Sequence, residues 1–192
     1  PVRVPSEFDA GIAERKAIYI PFPQAVPNAY LVDEASCTYV QTNGQKCGAC
    51  RKKCPKGCID LDGHGDVMQV EVGSVIVATG YETLDAARLD RYGYGVHPNV
   101  LTALEFERLT NASGPTGGRI VTKTLKHNKR KKVDEWVFDR DGEPPKSVAI
   151  IHCVGSRDSN YNAYCSRVCC MYSLKFAHLV REKLPDAECY EF

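Results

Sequence analysis

Apolar and polar positions alternate in short bursts through the first seventy residues, a pattern that predicts short strands and loops rather than long helices. Ala17-Ile18-Tyr19-Ile20 reads as a strand, and Pro21, Pro23 and Pro27 keep the following chain out of helix. Tyr30-Leu31-Val32 predicts a second strand. Ile59-Asp60-Leu61 and the alternating run Val67 to Val72 predict two more, joined by a turn at Asp62-Gly63-His64-Gly65-Asp66. The pattern then changes. Ser74-Val75-Ile76-Val77-Ala78-Thr79-Gly80 is a continuous β-branched run, as expected of a parallel strand buried on both faces, and it ends in small residues. Thr102 followed by Glu105 predicts a capping box opening a helix through about Leu109, and Ser113 to Gly118 predicts a turn-rich loop.

Residues 123–145 are polar and basic, with Lys126-His127-Asn128-Lys129-Arg130-Lys131-Lys132 at their centre and Pro144-Pro145 at their end. They read as an exposed hairpin or mobile loop. A solvated loop is the simpler reading, and a docking patch for an acidic redox partner the more specific one. Ser147 to Ile151 predicts a second buried strand. A helix is expected from about Tyr164 to Lys183, with Cys170, Leu174, Ala177 and Val180 or Arg181 on one face, stopped by Pro185. With a strand from Glu188 to Phe192, this makes a βαβ unit. The fold class expected is therefore α/β, with α+β character from the cysteine-rich half.

Composition narrows the function. The chain of 192 residues has 43% hydrophobic residues, enough for a real core, and a net charge of +1 that argues against nucleic-acid or membrane binding by bulk electrostatics. No apolar run predicts a membrane span and no secretory signal is visible. With ten cysteines, this points to a reduced, cytoplasmic protein rather than a disulfide scaffold. The first residue is Pro1 and the last lies inside an expected strand, so the chain reads as a piece of a longer protein.

The cysteines carry the chemistry. Cys47, Cys50 and Cys54 stand as C-x2-C-x3-C followed by Pro55, with Cys37 ten positions upstream. Such spacing lets one loop place thiolates at three corners of a cubane while a more distant cysteine takes the fourth. Arg51, Lys52, Lys53 and Lys56 offset cluster charge, and Gly48 and Gly57 leave backbone N–H groups free to face sulfur. Cys58 is expected to be buried and non-ligating. Zinc is the alternative, but knuckles usually pair two C-x2-C units, and this run ends in C-x3-C-P.

Cys153, Cys165, Cys169 and Cys170 form a second group, C-x11-C-x3-C-C. Cys165 and Cys169 are i, i+4 on the expected helix, whereas Cys170 is rotated by ~100° from Cys169. Spacing leaves two readings open: a second cluster at a helix start, or a set of buried core thiols. Other chemistries find little support. His152-Cys153-Val154-Gly155-Ser156-Arg157-Asp158 follows the strand where a nicotinamide fingerprint would sit and supplies no G-x-G-x-x-G. No Ser-His-Asp order, paired carboxylates or HExxH stand out, no catalytic residue is assigned, and the histidines are scattered. His178 is expected at the surface or in packing.

Taken together, Glu14-Arg15-Lys16-Ala17-Ile18-Tyr19, Pro21 to Pro27, the C-x9-C-x2-C-x3-C-P run, Val75-Ile76-Val77-Ala78-Thr79-Gly80-Tyr81, Ser113 to Gly118, and the stretch from Cys153 through Tyr172 resemble the A-type component of heterodisulfide reductase. The resemblance covers nearly the whole chain apart from the basic insert, and implies a central fragment of an iron–sulfur flavoprotein. In that family a thioredoxin-reductase-like core carries an inserted ferredoxin-like segment. The resemblance thereby implies four regions: a ferredoxin-like segment at 1–72, a core portion at 73–122, a basic insert at 123–145, and a degenerate nucleotide-binding-like βαβ unit from 146 to 192.

It implies that Cys37, Cys47, Cys50 and Cys54 bind one 4Fe-4S cluster and that Cys153, Cys165, Cys169 and Cys170 bind a second. Ala78-Thr79-Gly80 resembles the stretch lining FAD, although this chain contains no G-x-G-x-x-G unit for the pyrophosphate. The family relays electrons between clusters and flavin within a complex fed by a donor such as a hydrogenase or ferredoxin. In methanogens that complex reduces ferredoxin and the CoM-S-S-CoB heterodisulfide by bifurcation. Two other functions compete: a pyridine-nucleotide:flavin oxidoreductase of the thioredoxin-reductase type, and a zinc-stabilised adaptor.

Overall fold

The computed structural model describes residues 2–63 and 67–192. The chain divides into two compact units, one formed by residues 1–4 and 14–83 and the other by 5–13 and 84–192. Helices and short strands are mixed throughout, an α+β composition in which the described strands form two-stranded sheets.

In the first unit β1 (Arg3–Pro5) pairs with β2 (Glu14–Lys16), and β3 (Ile18–Tyr19) runs antiparallel to β4 (Leu31–Val32) in the register Ile18 to Val32. The expected strands at Ala17–Ile20 and Tyr30–Val32 are present in shortened form. Arg15 lies 4.0 Å from the Tyr19 ring centre and pairs with Asp33 at 3.0 Å. Asp33 accepts hydrogen bonds from the Ala35 and Ser36 N–H groups and, at 2.7 Å, from the Ser36 hydroxyl, and its carbonyl accepts the Cys37 N–H. The Ser36 hydroxyl, with help from Arg15 and against partial burial, holds the Asp33 carboxyl below its usual range. One carboxylate thus fixes the turn that delivers Cys37 to α1 (Thr38–Gln41). A short α2 (Ala49–Lys53) carries Cys50, and Ala25, Cys37 and Leu61 are buried.

Three expectations fail in this unit. Ile59–Leu61 and Val67–Val72 form no strand, and the turn expected between them lies partly outside the described residues. Ser74–Gly80 also forms no strand, and Val75, Ile76 and Val77 are 77%, 90% and 78% exposed rather than buried. A β-branched run favours extended backbone, but burial on two faces needs neighbouring strands, and none pairs with it among the described residues.

The second unit is built around two helices. In α3 (Ala103–Thr110) the Thr102 side chain accepts from the Glu105 N–H at 3.3 Å while the Glu105 carboxylate accepts from the Thr102 N–H at 2.6 Å, closing the expected capping box. Phe106 meets Phe176 of α4 (Cys169–Lys183) edge to face, with centroids 5.0 Å apart. Leu109, Ile120, Val121 and Val180 fill the core beside them. Lys183 donates to the carbonyls of Thr110 and Gly118, both at 2.7 Å, and so satisfies the end of α3. Turns run from Ser113 to Gly118, as expected.

The basic segment is a hairpin of β5 (Lys123–Asn128) and β6 (Val133–Phe138), with Leu125 opposite Trp136. Beyond it, β7 (Ser147–Ile150) and β8 (Glu188–Glu191) pair in parallel and α4 connects them, which is the expected βαβ unit. β7 is only half-buried and Ile151 is 47% exposed, so the expectation of a fully buried strand is corrected; a two-stranded sheet cannot cover both faces. The helix begins at Cys169, not Tyr164, and its buried face is Cys169, Ser173, Phe176 and Val180. Cys170 and Leu174 face outward, one position away from the face the pattern suggested.

A Cβ at Gly114 would sit 1.8 Å from the Arg108 carbonyl oxygen. Gly114→Ala is therefore expected to cost about 1–3 kcal/mol through backbone displacement, read as a lowered urea midpoint. A change below about 0.3 kcal/mol would contradict this packing.

Candidate metal centres

Each unit carries one group of cysteines, and all ten are free thiols. In the first, Cys37 is buried at the N-terminus of α1, Cys54 is half-buried, and Cys47 and Cys50 are exposed. The loop is shaped by two consecutive left-handed residues, Cys47 at φ +74° and Gly48 at φ +83°. A non-glycine residue held there is strained, and its surroundings must hold it in place. The conformation turns backbone N–H groups back toward sulfur. The N–H of Ala49, and then that of Gly48, lowers the Cys47 thiol below its usual value. Cys54 is lowered in the same way by the N–H groups of Cys58 and Lys56, with Gly57, itself at φ +60°, adding to them.

Cys58 stands 3.6 Å from the Cys54 sulfur and is exposed, which corrects the expectation that it is buried; the loop after Pro55 turns outward. Its thiol is raised, first by the hydrogen bond to Cys54 and then by the charge there. Arg51 is committed elsewhere, to Asp62 at 2.5 Å and to the Tyr39 hydroxyl at 3.2 Å. Lys46, Lys52, Lys53 and Lys56 are the other cations in this stretch of the sequence.

The second group is held by a stapled loop between β7 and α4. Cys153, Arg157 and Arg167 have φ of +54°, +56° and +62°. Ser156 donates to the Tyr164 carbonyl at 2.9 Å and accepts from the Ser166 N–H at 3.1 Å, while the Arg167 N–H faces the Cys165 sulfur at 3.3 Å. Burial acts to raise the Cys169 thiol, but the backbone and side chain of Cys153, with Ser166 and Cys170, outweigh it and the net direction is down. Cys170 is raised by its hydrogen bond to Cys169 and by the charges of Cys169, Cys153 and Cys165. The loop thus brings Cys153, Cys165 and Cys169 within electrostatic reach of Cys170. Cys165 lies ahead of the helix, so it does not share a helical face with Cys169.

Sequence reasoning missed two residues here. Ser156 is the staple of the loop. His152, which directly precedes Cys153, joins Cys169 and Cys170 in a group whose ligand atoms all lie within 4.8 Å of one another. Its position next to a cysteine at a strand end was the available signal. Ala78, Thr79 and Gly80 are exposed, with Gly80 at φ +75°. His178 is on the surface, 3.9 Å from Glu182.

Cysteine thiols with backbone N–H groups aimed at sulfur suit iron–sulfur chemistry. A single tetrahedral zinc would require its sulfurs about 3.8 Å apart. Among the described residues, Cys54 and Cys58 approach such a spacing as a pair, at 3.6 Å, and His152, Cys169 and Cys170 form a group of three within 4.8 Å of one another. No described helix is long and apolar enough to cross a membrane.

In metal-free, reduced protein near neutral pH, Cys47 and Cys54 are present as thiolate more often than Cys58, because their lowered values place ionisation earlier as pH rises. Iodoacetamide with peptide mapping is expected to label Cys47 and Cys54 ahead of Cys58. Equal labelling of Cys58 would contradict the loop geometry.

No protein-family model matches the chain. Curated relatives do. The chain is 44% identical over 98% of its length to the A component of the H(2):CoB-CoM heterodisulfide,ferredoxin reductase of Methanothermobacter thermautotrophicus, and covers 25% of that protein. It is 46% identical over 98% of its length to an iron-sulfur A component of the CoB–CoM heterodisulfide reductase of Methanopyrus kandleri, again covering 25%. It is 40% identical over 98% of its length to the A component of the ferredoxin/F(420)H(2)-dependent CoB-CoM heterodisulfide reductase of Methanosarcina acetivorans, covering 21%. The chain spans about a quarter of the length of the curated relatives it matches. Over that span it belongs to the family of heterodisulfide reductase A components.

Proposed function

We propose that this chain is an electron-relay segment of the A component of a heterodisulfide-reductase-type complex. In this reading Cys37, Cys47, Cys50 and Cys54 hold one 4Fe-4S cluster and Cys153, Cys165, Cys169 and Cys170 hold a second. Ala78-Thr79-Gly80 backs an FAD in the whole polypeptide. The observation that carries the reading is the pairing of thiol groups with backbone donors: Cys47 and Cys54 are both lowered by N–H groups of their own loop, and Cys169 is lowered against its burial. Loops of this kind favour the thiolate, the form that ligates iron. Bound there, the clusters would carry single electrons to and from a two-electron flavin. The chain's own part is to fix the sulfurs, offset their charge and set how tightly each cluster holds an electron.

The fold around these loops is read as part of a thioredoxin-reductase-like core, with the first unit as its ferredoxin-like insert. Exposed Val75-Ile76-Val77 supports this, because an exposed β-branched run fits a sheet completed by other parts of the polypeptide. The partners proposed are the other subunits of the complex and a donor such as a ferredoxin or hydrogenase, as the names of the relatives suggest. A pyridine-nucleotide:flavin oxidoreductase is disfavoured, since the loop after β7 carries cysteines where a glycine fingerprint would be. One other reading has an observation behind it: the compact trio of His152, Cys169 and Cys170 could hold a single zinc ion in an adaptor role.

Cys50→Ser and Cys169→Ser test the proposal after anaerobic reconstitution. Each is expected to lower iron from about eight to about four atoms per chain, and to remove different components of the dithionite-reduced EPR spectrum. Unchanged iron and spectra in Cys50→Ser would sink the first assignment, and the same result in Cys169→Ser the second. Zinc lost from Cys169→Ser would favour the adaptor.

A further inference from the structure

The second cysteine group offers more donors than a cubane has corners. Four sulfurs complete a 4Fe-4S cluster, and His152 is a fifth polar group at the same place. Its backbone is fixed by the parallel ladder of β7 and β8, because its N–H donates to the Phe192 carbonyl at 2.8 Å and the Phe192 N–H donates to the Ile150 carbonyl at 2.9 Å. The side chain is 20% exposed. Its Nε2 is buried and has no hydrogen-bond partner. Glu191 approaches that nitrogen only to 3.6 Å, beyond hydrogen-bonding reach. A ring nitrogen buried without a hydrogen-bond partner is costly unless something at the site completes it. The sulfurs of Cys169 and Cys170 lie within 4.8 Å of a ring nitrogen of His152.

We propose that His152 donates its ring N–H to the Cys169–Cys170 edge of the second cluster and thereby raises that cluster's reduction potential. The inference rests on the proposed assignment of the second cluster to Cys153, Cys165, Cys169 and Cys170. The physical cause is simple: reduction adds negative charge that spreads onto the thiolate sulfurs, and an N–H aimed at sulfur stabilises that charge more than the oxidised state. The role is that of a positioning and tuning residue, outside the cluster's own ligands. It also distinguishes the two cysteine groups. The first is served by backbone N–H groups, which no side-chain substitution removes, whereas the second gains a side-chain donor that substitution can delete.

The test is an EPR-monitored redox titration of the full-length protein, reconstituted anaerobically, as wild type, His152→Leu and His152→Asn. The expected result is full iron in both variants, a lower potential for one signal in His152→Leu, an unmoved signal from the first cluster, and substantial recovery in His152→Asn, which keeps an N–H donor. An unshifted potential in His152→Leu with iron intact would overturn the inference while leaving the second cluster in place. Loss of about four iron atoms in both variants would overturn it too, since His152 would then be holding the cluster rather than tuning it. Failure of the underlying assignment looks different: Cys169→Ser would leave both the iron content and the EPR spectrum of the full-length protein unchanged.

Discussion

Thiolates drawn together repel one another, and every feature of the two loops answers that repulsion. At ~4 Å, two unit charges in a site of intermediate dielectric oppose each other by about 4 kcal/mol, so four sulfurs gather only where donors and cations offset them. The chain supplies donors by twisting its backbone. Cys47 and Gly48 adopt left-handed conformations in succession, and the N–H groups of Gly48 and Ala49 turn toward sulfur. Cys153, Gly155, Arg157 and Arg167 are also left-handed between β7 and α4, where the Arg167 N–H faces the Cys165 sulfur. Held this way, the loops are pre-shaped for anionic groups at the expense of backbone strain. The surrounding structure serves that end: the Asp33 turn places Cys37, and the Ser156 staple places Cys165.

The part of this that was legible in sequence is the part fixed by local chemistry. The C-x2-C-x3-C-P spacing, the Thr102–Glu105 capping box, the basic hairpin and the β7–α4–β8 unit depend on residues close in the chain. Relatives matching nearly the whole chain at 40–46% identity agree with the family resemblance carried by the cysteine motifs. Elements that depend on distant neighbours were read less well. Val75-Ile76-Val77 has the composition of a buried strand, yet it is exposed, because β-branched content specifies an extended backbone and not a partner.

The second site shows the same limit at finer scale. A 3.6-residue period places Cys165 on the helix, but the Ser156 hydrogen bonds draw residues 165–166 into the loop, and α4 starts at Cys169. The buried face is Cys169, Ser173, Phe176 and Val180, set by packing that includes the Phe106–Phe176 contact, and Cys170 and Leu174 face outward. Cys58 was expected inside from its place after C-P-x-x, and the turn at Gly57 sends it out. His152 was passed over as one of several scattered histidines, because its nearness to Cys169 and Cys170 is created by the fold and not by spacing.

The central claim is that these loops exist to hold two electron-carrying clusters. Iron and acid-labile sulfide per chain, determined after anaerobic reconstitution, test it most directly. The account predicts about eight of each. Absence of iron together with one tightly held zinc would contradict it.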